Sequence, residues 1–186
     1  MRILSVLIFI VLLPLTSCHA QQEKSSTTNP EVAKNSSEIK PYNPYYSRTD
    51  TTKLNLPDSV WKKILKPKVY HIAREKGTER EYSGKYWDYK GKGTYHCAVC
   101  GNKLFESEAK YMSHCGWPSF FEPVGLNSVK FKPDNSHGMQ RTEVLCGRCN
   151  SHLGHIFNDG PPPTGKRYCM NSLVLDFVPN DSTEKN

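Results

Sequence analysis

A chain of 186 residues has room for one ordinary domain but not for two with a linker. Its formal net charge is +7, but the lysines and arginines are scattered among acids, which argues against a nucleic-acid partner. Seven cysteines, four of them in two CxxC pairs, turn attention to thiol and metal chemistry.

Residues 1–17 carry Arg2 followed by an apolar run from Leu4 to Leu15, broken only by Ser5 and Pro14. That run is shorter than a membrane span and suits an export signal. Leu15-Thr16-Ser17-Cys18 resembles a lipobox, in which Cys18 is lipidated and becomes the mature N-terminus; cleavage after Ala20 is the alternative. Residues 18–55 are rich in Ser, Thr, Asn, Gln, Lys and Pro, which predicts a flexible tether. An exported, periplasmic lipoprotein anchored to a membrane is the expectation, with a soluble periplasmic or secreted form following from cleavage at Ala20.

Folding is predicted from Leu56. Asp58 or Ser59 can cap a short helix burying Val60, Trp61, Ile64 and Leu65. Pro67 opens a second helix with Val69, Tyr70, Ile72 and Ala73 as apolar positions, closed by Gly77. Beyond it lie β-type runs, GTYHC, VKFKP, RTEVLC and RYCMNSLVLDFVP, between turn residues. A mainly β, antiparallel core with a helical lead-in follows.

Cys97-Ala98-Val99-Cys100 and Cys146-Gly147-Arg148-Cys149 are two matched knuckles. Four thiolates with no open coordination position describe a structural zinc site. Disulfides, a rubredoxin-like iron site and separate redox pairs are the competing readings. The other two, Cys115 and Cys169, could be small buried hydrophobes or a static disulfide. The setting of Cys169 favours reactivity. Arg167 and Asn171 lie two residues to either side, on the same face of a strand, and a nearby cation favours the thiolate. Cys115 stands in a tight turn before Trp117. Between the two, His152, His155 and Asp159 offer proton transfer near neutral pH.

The segments HCAVCGNKLFES, KYMSHCGWPSFFEPV and HGMQRTEVLCGRCNSHLGHIFNDGPPPTGKRYCMNSLVLDF together resemble the type-B methionine-R-sulfoxide reductase family. The resemblance covers about residues 57–178 and implies two small antiparallel sheets (a β-tent) with a Cys₄ zinc away from the active site. It assigns the domain to residues 56–179, leaving 180–186 as a disordered tail. It implies Cys169 as nucleophile, Cys115 as resolving cysteine, and Trp117 and Phe157 as substrate-binding residues. His152, His155, Asp159, Arg167 and Asn171 match its polar site residues. Ile156, where valine is more usual, and Ser113-His114 before Cys115 are departures. The implied reaction reduces the R epimer of methionine sulfoxide in oxidised proteins. Cys169 attacks the sulfoxide sulfur while His152 or His155, oriented with help from Asp159, supplies a proton. The resulting sulfenic acid is resolved by Cys115 and recycled by a thioredoxin-like reductant. A zinc-stapled binding module and a thiol peroxidase are the readings from other classes.

Overall fold

The computed structural model describes residues 43–180. The expected signal, Cys18, the Ala20 alternative and most of the tether lie outside these residues, as does the tail from residue 181.

Two short helices lead in, α1 (Asp58–Ile64) and α2 (Pro67–Glu75). The expected side-chain cap on α1 does not form. Pro57 occupies the cap position, and the Asp58 carboxylate instead accepts Nε–H of Arg74 from α2 at 2.7 Å. Helix α2 starts on Pro67, whose missing N–H costs nothing in the first turn. At its end the left-handed residue is Lys76 (φ 59°), not Gly77, and the Gly77 N–H returns to His71 O. Trp61, Ile72 and Ala73 form the buried helical face; Val60, Ile64 and Leu65 are only half-buried.

Among the described residues nine strands follow: β1 (Gly93–Cys97), β2 (Lys103–Glu106), β3 (Lys110–Tyr111), β4 (Ser119–Phe120), β5 (Val129–Asp134), β6 (Arg141–Cys146), β7 (His152–Phe157), β8 (Arg167–Met170) and β9 (Leu175–Pro179). They form two antiparallel sheets, one in the order β2-β1-β9 and one in the order β3-β4-β8-β7-β6-β5. The chain crosses between sheets through the turn at residues 171–174, directly after Cys169. Aromatic rings bridge the two. Phe105 of β2 stacks on Phe120 of β4 at 4.3 Å, and Tyr95 of β1 meets Phe120 edge-on at 5.0 Å. All three rings are fully buried, and burial of this size supplies most of the cohesion between sheets.

Residues 43–55, expected from composition to be a flexible tether, are held in place. They run as a strap across both CxxC knuckles. The Ser47 N–H donates to Cys100 O, the Leu54 N–H to Arg148 O, the Asn43 amide to Val99 O, and Lys53 Nζ to Gly147 O. Arg148, only 2% exposed, reaches back to the carbonyls of Tyr45, Thr52 and Cys100 and pairs with Asp50 at 2.7 Å. Polar residues expected to stay solvated are held here mainly through main-chain groups, which composition does not register. At the other end the Asn180 N–H still bonds Lys92 O at 3.1 Å, so order extends through the first residue of the expected tail.

Candidate active site

Strand β8 is the centre of the site. Its neighbours place Ser119 of β4 and His155 of β7 directly opposite Cys169 on either side. Directly paired residues share a sheet face, so the three side chains stand in a row. The strands approach closely because residue 154 is glycine: a Cβ there would lie 2.0 Å from the Cys169 carbonyl oxygen.

His152 and His155 are three residues apart, an odd spacing that would send them to opposite faces of a regular strand. The register of β6 and β7 shifts between Val144 and Leu145, so Leu153 is an extra residue and both imidazoles share one face. Their rings meet edge-on with centroids 5.4 Å apart. His152 is 3% exposed, and its Nδ1 lies 2.8 Å from Oε1 of Glu143, which is 1% exposed. Lys76 Nζ binds the other Glu143 oxygen at 2.7 Å. Burial opposes charge on Glu143, but the bonds from Lys76 and His152 outweigh it and hold the carboxyl below its ordinary range. Burial also lowers the His152 pKa, and its Nε2 has no hydrogen-bond partner. His155 Nε2 bonds Asp134 at 2.7 Å, and Arg141 binds the same carboxylate oxygen at 2.8 Å. Bonds from Ser136 and then His155 hold the Asp134 carboxyl well below its usual range.

Asp159, expected to orient a histidine, bonds instead with Arg167. Nε and Nη2 of Arg167 donate to its two carboxylate oxygens at 2.9 and 2.8 Å. The guanidinium also lies over the Phe157 ring at 4.4 Å. Asn171 donates to Leu153 O at 3.1 Å and accepts the Glu79 N–H at 3.0 Å, which locks the turn leaving β8. Trp117 is fixed by its Nε1–H donating to Glu79 O at 3.1 Å. A small cleft is lined by Trp117, Arg141, His155, Phe157, Cys169 and Asn171. Of the expected residues, His152 stands behind His155, and Asp159 and Arg167 form an outer pair beside Phe157.

Cys169 Sγ and Cys115 Sγ are 3.6 Å apart and not bonded. The Cys115 pKa is brought down to about 4, first by the bond from Cys169 and then by Ser113 and Ser119. Cys169 is pushed up by that same bond and by burial, while Arg167 works in the opposite direction. Either sulfur can be the donor in their contact, so the shared proton can rest on either one. Glu143, Asp134, Arg141, Glu79 and Ser119 escaped the sequence reading, and Ser113 entered it only as a departure before Cys115.

The second cluster lies where the β1–β2 and β6–β7 turns meet. The sulfurs of Cys97, Cys100, Cys146 and Cys149 are all buried and within 4.8 Å of one another. Cys97 Sγ is 3.8 Å from Cys149 Sγ, and Cys100 Sγ is 3.6 Å from Cys146 Sγ. A tetrahedron of thiolates about 2.3 Å from one ion would space sulfurs by roughly 3.8 Å, so the group fits a metal. Disulfides would need about 2.05 Å, which sets that alternative aside. The cluster joins a hairpin of each sheet.

The model of the SelR domain matches residues 65–179. The chain is 56% identical over 124 residues to the peptide methionine sulfoxide reductase MsrB of Thiobacillus denitrificans, covering 67% of this chain and 94% of the relative. It is 56% identical over 119 residues to the protein of the same name from Pseudomonas fluorescens (64% and 92%). To that of Methanosarcina mazei it is 49% identical over 133 residues (72% and 95%). With two antiparallel sheets, a Cys₄ group joining them and a thiol pair of which Cys169 lines a cleft, the chain belongs to the SelR-domain family of MsrB proteins.

Proposed function

We propose that this chain reduces methionine sulfoxide in oxidised proteins to methionine, acting on the R epimer. The observation that carries this reading is the pair of reduced thiols, Cys115 and Cys169, 3.6 Å apart, with Cys169 lining a cleft closed by Trp117 and Phe157. The Cys169 thiolate attacks the sulfoxide sulfur, and the oxygen takes a proton as the sulfur–oxygen bond weakens. His155 lines the cleft and is held by Asp134, so it is the proton donor; His152, fixed by Glu143, supports it from behind. The apolar faces of Trp117 and Phe157 take the methyl group. The protonated oxygen leaves as water from the Cys169–sulfur adduct, and water attacks Cys169 Sγ and breaks that bond with release of methionine and a proton. The sulfenic acid left on Cys169 condenses with Cys115 to form the disulfide and water. A thioredoxin-like dithiol then restores both thiols.

The four knuckle cysteines would hold zinc, whose chemistry there is structural: it would tie the two sheets behind the site. Cys18 would carry the lipid and place the enzyme in the envelope, repairing oxidised envelope proteins. Incorporation of labelled fatty acid, lost in Cys18→Ser, tests the anchor.

The functional test is turnover of each epimer of a methionine sulfoxide peptide by the protein with dithiothreitol as donor. Reduction of the R epimer alone, abolished in Cys169→Ser, is expected. Turnover retained in Cys169→Ser, or reduction of neither epimer by folded, metal-loaded protein, would overturn the reading.

A further inference from the structure

The hydroxyls around Cys115 form a chain. Ser113 Oγ lies 3.0 Å from Cys115 Sγ, 2.7 Å from Ser119 Oγ and 3.5 Å from the Cys115 N–H. A serine hydroxyl has one proton and two lone pairs. The Ser113 O–H donates to the Cys115 sulfur and its oxygen accepts the Cys115 N–H. Either serine can donate in the Ser113–Ser119 contact, and the Ser119 hydroxyl also lies 3.3 Å from the Trp117 carbonyl oxygen. Ser119 is fully buried on β4, directly opposite Cys169, so it serves the thiol pair and not solvent. Its own sulfur contact is longer, 3.4 Å to Cys115 Sγ, which fits a role one step back along the chain.

Placement is the second observation. Both sulfurs are half-buried; they differ in that Cys169 lines the cleft while Cys115 rests against hydroxyls. In thiol–disulfide exchange the better-stabilised sulfur leaves.

We propose that Ser113, backed by Ser119, is a positioning residue that makes Cys115 the leaving thiolate, so that the reductant attacks Cys169. This rests on the reading of Cys115 and Cys169 as the redox pair. A thiolate of the reductant forms a bond to Cys169 Sγ as the Cys169–Cys115 bond breaks. The electron pair of that bond stays on Cys115 Sγ, which accepts the Ser113 hydrogen bond. No proton is consumed in the step. A second thiol of a dithiol reductant then displaces Cys169 as a thiolate and is itself oxidised to a disulfide. The low Cys115 pKa has the same origin.

The test starts from full-length protein oxidised by a methionine sulfoxide peptide, with the Cys115–Cys169 disulfide verified by mass. Failure of that disulfide to form would overturn the functional reading itself, before the present proposal is reached. Glutathione, a monothiol, is then added, the reaction is quenched in acid, free thiols are alkylated, and the mixed disulfide is located by peptide mass. The adduct is expected on Cys169, with Cys115 alkylated. In Ser113→Ala adduct formation should slow about tenfold, the effect of removing a hydrogen bond to a charged leaving group, and Ser113→Thr should restore it. Ser113 is only half-buried in a turn, so both variants should fold; Ser119→Ala gives an independent, smaller slowing. Adduct on Cys115 in the native protein, or equal rates in Ser113→Ala and the native chain, would overturn the proposal.

Discussion

Glu143 shows how much one buried carboxylate can carry. It accepts Lys76 and His152 at once, and removing it would strand a buried imidazole N–H. Glu143→Ala should cost about 2 kcal/mol, the penalty for an unsatisfied buried donor, read from the urea midpoint. The pH dependence has a definite sign. His152 has a folded pKa below its ordinary value, so the unfolded chain binds the extra proton first and stability falls as pH drops below about 6.5. Glu143 is also depressed: its contribution is complete above about 4.3 and is lost as pH falls through its lower folded value. Melting of the native protein should therefore weaken from near pH 6.5 downward. The gap between native protein and Glu143→Gln should narrow only below about pH 4. A gap that stayed constant to pH 3 would refute the role given to the carboxylate. Asp159 is a contrasting case, a largely exposed partner of Arg167. Asp159→Asn should change stability by less than about 1 kcal/mol while lowering sulfoxide turnover, because Arg167 loses its anchor over Phe157. Cys169, Arg167 and the histidines were legible in the sequence since each is a chemical type in a telling local setting. The partners of the histidines were not. Asp159 is four residues from His155 in sequence, yet the turn between β7 and β8 delivers it to Arg167. Glu143 and Asp134 reach the imidazoles only through strand pairing.

At the level of elements, β7 decides the geometry. Its extra residue, Leu153, puts both imidazoles on the Cys169 face, and Gly154 lets β8 come close. No periodicity argument finds such a bulge, because alternation assumes an uninterrupted ladder. Strands β1, β5 and β6 followed from their apolar and β-branched runs. The single run RYCMNSLVLDFVP, by contrast, is broken at residues 171–174 into β8 and β9 of different sheets, and β7, with two histidines and a glycine, did not look like a strand. Gly154→Ala would set a methyl group against the Cys169 carbonyl oxygen. A loss of about 3 kcal/mol or more is expected from the overpacking, together with lost turnover, measured by denaturation and by peptide reduction. Native stability in Gly154→Ala would show that the two strands can part at no cost.

For the whole molecule, two connections hold the sheets together: the aromatic bridge through Tyr95, Phe105 and Phe120, and the four-cysteine group. The two CxxC pairs pointed to the second, against disulfides, an iron site and separate redox pairs; the strap of residues 43–55 was hidden by its polar composition. Arg148 binds that strap almost entirely through carbonyls. Arg148→Ala should leave several buried acceptors unsatisfied, cost about 3 kcal/mol, and speed metal release to a chromogenic chelator. A chain starting at residue 56 should release metal at least as fast. Equal release by native and shortened chains would mean the strap merely lies on the knuckles.

The strap also has a mechanical meaning. Any pull entering the domain from its N-terminal side arrives at residue 43, and the first bonds to bear it are those to the knuckles at Val99, Cys100, Gly147 and Arg148. Tension spreads over both turns and, through their sulfurs, into both sheets together, so no single strand is peeled from an edge. Cys169 on β8 and Cys115 between β3 and β4 make none of these bonds, and the cleft would keep its shape under a load that the knuckles take first.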